Sequence, residues 1–549
     1  MKFNKFLFGA AALSMGVFAS CSSDEPVKGP DGGNGAIEGE QYMAISITTA
    51  GLGGSRAAGV GDPEFEAGVG TECDITAENT YFFFYDANGN AFPLAAANVN
   101  GTVATNMVKP TKIELQHGPG DAATLEGVLV LGKAIGEGYV GTTPAQVLCV
   151  ANPSKAFSVA EYENKNLSWV LGKESSTPAT LPAETGFVMT STTYVDGGKI
   201  VTAQDVTGKF AETPEAAKTN PAVLYIERLA AKVRAKGLGE YTAQIRKKVT
   251  AEDGTVSTVV TEDGKITIDN KEAIVKVELL GWELIKTAGQ SNAFKSLKSE
   301  WLATDPFNGW NDADKHRSYW AASNAGTIRN TDIPSLSDNS KYTKGNFVSG
   351  VENVAYCYEN TGYAEAPNTP TSVNDRNTAY NATSVVVKAV VKTYDAETQT
   401  SKPVDLMRWA GSYYTVDHLK ELVATDYNAS VTGAGAKATA NDVEFVDNSA
   451  LDNTYHAVVT VGENRTEMAN FMSILWWKNG ITSYYANIEH LGQKFGVVRN
   501  HIYEYEFDGV IGLGVPGTEP NTPEETETFL SAKLYCLNWH VVSNKLTLE

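Results

Sequence analysis

The stretch QYMAISITTAGLGGSR (residues 41–56) reads as one short strand followed by a loop that must bend. Met43, Ile45 and Ile47 alternate with Ala44, Ser46 and Thr48, and a two-residue period puts every large apolar side chain on one face. Gly51, Gly53 and Gly54 end the run before Arg56. The same grammar recurs along the chain at 81–85, 127–131, 146–151, 223–226, 274–280, 385–391 and 456–461, with Gly, Asn, Asp and Pro between the segments. Short apolar strands at this spacing predict an all-β chain built from β-sandwich domains. Helices are expected only at 159–171 and at 418–423, the second capped by Asp417. Residues 249–269 are polar and Gly-containing and read as a hairpin or loop, with a domain boundary just ahead of it near 236.

The chain has 549 residues, 42% of them apolar, which is too long for one ordinary core and predicts two domains. Its first residues have a secretory layout: Lys2 and Lys5, an apolar run from Phe6 to Phe18, then Ala19, Ser20 and Cys21. The run is too short to span a bilayer as a helix. Phe18-Ala19-Ser20-Cys21 is similar to a lipobox, in which cleavage precedes the cysteine and the thiol is lipidated; an ordinary signal with a chance cysteine is the alternative. Residues 22–40 are rich in Gly, Pro and acids and read as a flexible tether. Removing residues 1–20 leaves 42 basic against 65 acidic side chains, a formal charge of −23. That balance repels phosphate backbones and argues against a nucleic-acid partner.

Beyond Cys21, the cysteines Cys73, Cys149, Cys357 and Cys536 stand singly, which is neither a zinc pattern nor a dense disulfide framework. Buried free thiols are expected, with one long-range disulfide as the alternative. Gly512, Gly514 and Gly517 match a dinucleotide fingerprint as a string, but a Pro/Thr/acid spacer follows where a helix should start. Asp86, Asn88 and Asn90 begin like a calcium loop, yet Ala91 and Ala97 occupy later ligand positions, so a hairpin turn is expected. No histidine pair has metal-ligand spacing, although His490 and His501 could meet in space. No nucleophile–base arrangement is evident. The reading is therefore not an enzyme, with no metal and no cofactor. Trp476, Trp477 and Trp539 are expected in the core rather than on a sugar-binding platform.

Residues 515–528 form a second acidic Pro/Thr spacer, and a strand-like arm follows at 529–548. An apolar strand beyond a spacer either folds back onto its own domain or pairs with another molecule. Taken together, the lipobox start, Arg56 lying 35 residues after Cys21, and this arm resemble the Bacteroidales type V fimbrillins, specifically shaft subunits of the minor-fimbria type. Shorter matches run inward: YIERLAAKV (225–233), HRSYW (316–320), YCYENT (356–361), YYANIEH (484–490), VRNHIY (498–503) and NWH (538–540). The acidic residues after Cys21 also look like the surface-export signal of such lipoproteins.

The resemblance implies two tandem transthyretin-like β-sandwich domains. It implies a signal peptide at 1–20, a propeptide with tether and removable strand at 21–56, domains at 57–235 and 236–510, and spacer plus donor strand at 511–549. In such proteins the lipid on the cysteine holds the precursor at the outer membrane, and an arginine-specific surface protease then removes the first strand. Cutting between Arg56 and Ala57 would take away Met43, Ile45 and Ile47, whereas Lys28 lies ahead of the strand. Read alone, Arg56 is a flexible surface residue; its place between strand and domain points to processing. The vacated groove would accept the arm of a neighbouring identical subunit by β-augmentation, with Tyr535, Leu537, Trp539 and Val541 facing inward. Burying about five such side chains is worth on the order of 10 kcal/mol before entropy. Implied partners are identical subunits, anchor and tip accessory subunits, and host or bacterial surface ligands, in an extracellular fimbria that supports adhesion and biofilm formation. An anchor or tip subunit, or a glycan-binding surface lipoprotein, is the alternative. N-terminal sequencing of surface polymers should find Ala57 first; Cys21 still acylated on most subunits would contradict shaft processing.

Overall fold

The computed structural model describes residues 41–49, 75, 77–98, 100–110, 113–117, 123–153, 158–175, 187–250, 256–314, 316–323, 328–329, 354–361, 383–432, 435–447, 454–491, 494–516, 529–538 and 542–544. These residues are mostly strands with few helices, an all-β fold. The first sheet uses β1 (Gln41–Thr49), β2 (Thr80–Tyr85), β3 (Met107–Val108), β4 (Ile113–His117), β5 (Ala123–Leu131), β6 (Gln146–Ala151), β7 (Met189–Ser191) and β8 (Ala222–Arg228). Their order across the sheet is β3-β2-β6-β7-β8-β1-β5-β4. The first strand in sequence is thus an interior strand, antiparallel to β5 and parallel to β8. Its alternation explains the placement: Met43, Ile45 and Ile47 enter a core with Phe82, Phe84, Leu129, Leu131, Met189 and Ile226.

The chain changes sheets at Leu229. β8 ends at Arg228, and β9 (Ala230–Lys236) begins the second sheet with β10 (Glu240–Thr250), β11 (Lys271–Ile285), β12 (Val354–Tyr358), β13 (Ser384–Asp395), β14 (Ile481–Asn487), β15 (His501–Ile511) and β16 (Phe529–Asn538). The order β12-β9-β15-β10-β11 places β9 beside β15 in parallel. The expected boundary near 236 therefore falls at the far end of a strand that already belongs to the second sheet. The second core collects Val233, Val275, Val277, Trp282, Val387, Trp477, Tyr503 and Tyr505. An apolar cluster of Phe83, Tyr85, Leu148 and Val150 with Leu229, Ala293, Phe294 and Tyr358 joins the two halves.

Local departures from the sequence reading have local causes. Residues 159–171 form a 3-10 turn and a separate helix α1 (Leu167–Leu171), because Asn164 between them takes a left-handed φ of 57°. The 249–269 stretch, expected as a hairpin or loop, is the hairpin: Val256–Thr261 pairs antiparallel with β10, and Lys265–Ile268 follows it. Helix α2 (Pro214–Lys218) carries no periodic signal at five residues. Helix α3 (Val416–Ser430) is capped by Thr415, not Asp417. Thr415 is itself fixed by Asp269, whose carboxylate accepts from its amide at 3.0 Å and its hydroxyl at 2.6 Å. α3 packs Leu419 and Val423 on Phe445, Val459 and Phe471, a fourth apolar cluster that the sequence reading did not separate.

Ile45→Ala removes a fully enclosed branch from the first core and should lower unfolding free energy by about 2–5 kcal/mol. Val223→Ala, at a 46% exposed neighbouring position, should stay within about 0.5 kcal/mol. Denaturant titration of the unprocessed chain checks both.

Candidate assembly site

Two pieces of geometry concern strand pairing, and a third ties the two sheets together. The first is the slot that β1 fills. β5 pairs with it from Gln41↔Leu131 to Thr48↔Thr124, and β8 from Ile45↔Ala222 to Thr49↔Ile226. Both edges of β1 are therefore used, and its large side chains are enclosed, with Met43 and Ile47 at 0% exposure. Of the residues expected in the removable strand, Met43, Ile45 and Ile47 are brought together in one core. Cys21, Arg56 and Ala57 lie outside the described residues.

The second piece is the arm. β16 pairs antiparallel with β15 of its own chain, from His501↔Asn538 to Ile511↔Phe529, with a register shift between Phe507 and Gly509. Of the two possibilities weighed for the arm, the described chain shows the folded-back one. In this register Leu537 lies opposite Ile502 and Tyr535 opposite Glu504. Trp539 and Val541 lie outside the described residues.

The third is a buried polar cluster where the two sheets meet, and the short sequence blocks at 225–233, 316–320, 356–361, 484–490 and 498–503 all contribute to it. Glu227 on β8 pairs with Lys295 at 2.7 Å, both side chains fully buried. Lys295 also donates to the Ser318 carbonyl at 2.8 Å. Arg228 donates to the Asn500 side-chain oxygen at 3.1 Å, and Arg317 donates to the Asn500 carbonyl. Arg499 pairs with Glu359 at 3.1 Å and also donates to Ser291 Oγ at 2.9 Å. Asn500 holds a left-handed φ of 59°, which turns its carbonyl and amide toward different partners. Burying this many charges is tolerable only because so many polar atoms are paired inside the cluster.

His490 and His501 do meet, with ring centroids 5.0 Å apart. His490 Nδ1 sits 2.8 Å from the Tyr503 hydroxyl, which itself accepts from the Val498 amide at 2.8 Å. This contact fixes the imidazole ring against the Tyr503 hydroxyl. Burial pushes His490 down to about 3, with Lys295 and Arg317 nearby opposing a further positive charge. Burial likewise holds His501 well below its ordinary value, aided by Arg317 and His490.

Other candidates resolve simply. Cys149 and Cys357 are buried free thiols, and burial raises both, Cys357 to about 12. Asp86 closes a turn by accepting from the amides of Asn88 and Asn90 at 2.8 and 2.9 Å. Trp477 is in the second core, whereas Trp476 is half-buried with Lys478 over its ring. Among the described residues, no group of three or more His, Cys, Asp or Glu could hold a metal ion. No helix there is long and apolar enough to cross a membrane.

No family model matches the chain, and no curated protein matches it. Solved structures do resemble it. A candidate cell adhesion protein from Parabacteroides distasonis matches with a TM-score of 0.38 and 11% identity, covering 92% of this chain and 99% of that one. Another from Bacteroides eggerthii matches with a TM-score of 0.30 and 12% identity, over 92% and 99%. The tip fimbrial protein Mfa3 from Porphyromonas gingivalis, truncated at its C-terminus, matches with a TM-score of 0.29 and 10% identity, over 91% and 100%. At these values the function has to be argued from this chain's own residues.

The neutral histidines make the junction sensitive to acid. An unfolded histidine takes up a proton below about pH 6.5, while folded His490 declines it until about pH 3. Stability is therefore full at neutral pH and is lost as pH falls through that window. His490 alone should cost about 2 kcal/mol between pH 7 and pH 5. Denaturant midpoints at the two pH values should show the drop, and His490→Gln should reduce it.

Proposed function

We propose that this chain is a structural subunit of a cell-surface fimbria, of the shaft type, that polymerises by strand exchange after its first strand is removed. The observation that carries the reading is the position of β1: an interior strand with an apolar face, joined to the rest of its domain through a Gly-rich segment ending in Arg56. Proteolysis there would free a strand whose departure no other part of the sheet could repair. The lipid on Cys21 would hold the precursor at the outer membrane, and cutting after Arg56 would release it into the fibre.

The arm supplies the replacement. It is tied to its own chain along one edge of β15 and stands beyond the 515–528 spacer, so it can leave one pairing and take up another. Exchange substitutes backbone hydrogen bonds for backbone hydrogen bonds, and the net gain comes from apolar burial in the slot. Once inserted, the strand is an interior element, and its release requires local unfolding of the acceptor sheet. In this reading the chain takes no cofactor and performs no catalysis. Its partners are copies of itself, the accessory subunits at the fibre's ends, a processing protease and the surfaces the fibre meets.

Truncation after Pro516 tests the arm. The described core residues end at Leu513, and Val515 still exchanges two backbone bonds with Ser483, so the shortened chain should fold and be secreted. Polymers resistant to heat in detergent should vanish from the cell surface. Fibres of normal length from the truncated chain would show that the arm is not the donor.

A further inference from the structure

The β1 slot has a roof on one side. Segment 208–220 leaves the first sheet, forms the short helix α2 and returns into β8. Its neck is closed by its own bonds: Lys209 Nζ donates to Asn220 Oδ1 at 2.6 Å, and Asn220 Nδ2 donates to the Gly208 carbonyl at 3.1 Å. Thr213 caps α2 by accepting from the Ala216 amide at 3.2 Å, and Pro214 sets its first turn. None of these bonds involves β1, so the segment keeps its form whichever strand lies below.

Its contact with β1 is nonetheless close. Tyr42 and Ala211 exchange two backbone bonds, both 2.9 Å. On the face of β1 opposite Met43 and Ile45, Ala44 packs with Tyr42 and Ala217 alongside Val128, Val130 and Ala211. Ala44 is 4% exposed and Ala217 1%. The slot is thus asymmetric: one face admits Met and Ile side chains along its length, and the other takes Tyr42 near its end but closes on the Ala44 methyl beneath Ala217. A large side chain in the place of Ala44 would have to displace Ala217, and close-packed interiors resist such overfilling.

We infer that segment 208–220 is a strap that selects the strand entering this slot, admitting one with a large row facing the core and a small side chain at the position beneath Ala217. This rests on the strand-exchange reading and adds the recognition rule. The occupant it fits is the arm of a second copy of this chain. In the arm sequence, Tyr535, Leu537, Trp539 and Val541 make one row, and Leu534, Cys536, Asn538, His540 and Val542 the other, which is apolar at its ends and smallest at Cys536 and Asn538. The first row holds the larger apolar groups, and only the second offers side chains as small as Cys536 and Asn538 near its centre. The strap therefore fixes which row turns inward. A slip by one residue would drive Leu537 or Trp539 against Ala217.

The native Cys536 makes the test direct. Ala217→Cys, in a chain with Cys73→Ser to clear the background, is expressed in full and allowed to polymerise at the cell surface under mild oxidation. Parallel chains carry Cys536→Ser with a single cysteine at another arm position: Tyr535→Cys, Leu537→Cys, Asn538→Cys, Trp539→Cys or His540→Cys. The expected result is a ladder of covalent multimers from Cys536, Asn538→Cys or His540→Cys that collapses to monomer on reduction. The other row should give none. Ala211→Cys serves as a second reporter on the strap if Ala217→Cys lowers secretion. Links from the Tyr535–Leu537–Trp539 row alone, or heat-stable polymers without links from either row, would overturn the strap while leaving strand exchange in place. Absence of polymers from the parent chain would overturn strand exchange and the strap with it.

Discussion

An interior strand position in a sheet cannot stand empty, and β1 occupies one. On one side it satisfies the backbone of β5 over eight register pairs, and on the other it satisfies β8 over five. Vacating it would leave two rows of donors and acceptors without partners, and it would open the core around Phe82, Leu129 and Ile226 to water. Each orphaned buried group costs about 1–3 kcal/mol, so the first domain is stable only with some strand in place. Everything proposed for this chain follows from that constraint. A strand that must be present, and whose place another molecule's strand could take, would make the fold of one molecule conditional on another.

The second half of the molecule is coupled to that slot through continuous chain. β8, which lines the slot, runs past Leu229 into β9, which pairs with β15, which in turn holds the arm. The buried ion pairs Glu227–Lys295 and Glu359–Arg499 sit beside this route. Such pairs add little net stability over apolar packing, but removing one partner strands a buried charge, so they resist sliding or hinging. Together with the Phe83–Phe294–Tyr358 cluster, they tie the two sheets to each other along this route. A fibre built from such subunits would carry tension from slot to arm along strands rather than across a flexible linker.

Much of this was legible in the sequence where the physics is local. The alternation at Met43, Ile45 and Ile47 gave the strand and its inward face, and 146–151 matched β6 end to end. Other features depend on distant partners. Thr415 outcompetes Asp417 as a helix cap because Asp269 fixes it, a residue well over a hundred positions away. The switch at Leu229 is invisible in a run that reads as continuous strand. The blocks around Arg228, Arg317, Glu359, His490 and Arg499 looked like separate weak motifs, and only folding joins them in one cluster. The strap left no trace, since a five-residue helix has no period to detect and Ala217 matters only through what lies beneath it. For Cys21, Arg56, Ala57, Trp539 and Val541 the sequence remains the sole guide.

The central claim is that the β1 slot changes occupant when subunits join. Cryo-electron microscopy of polymers purified from the cell surface would show the side chains in that slot directly. The account predicts density for the arm of a neighbouring subunit between β5 and β8, continuous with its 515–528 spacer, and no density for residues 41–49. Polymers in which each subunit keeps its own Met43, Ile45 and Ile47 in the slot would contradict it.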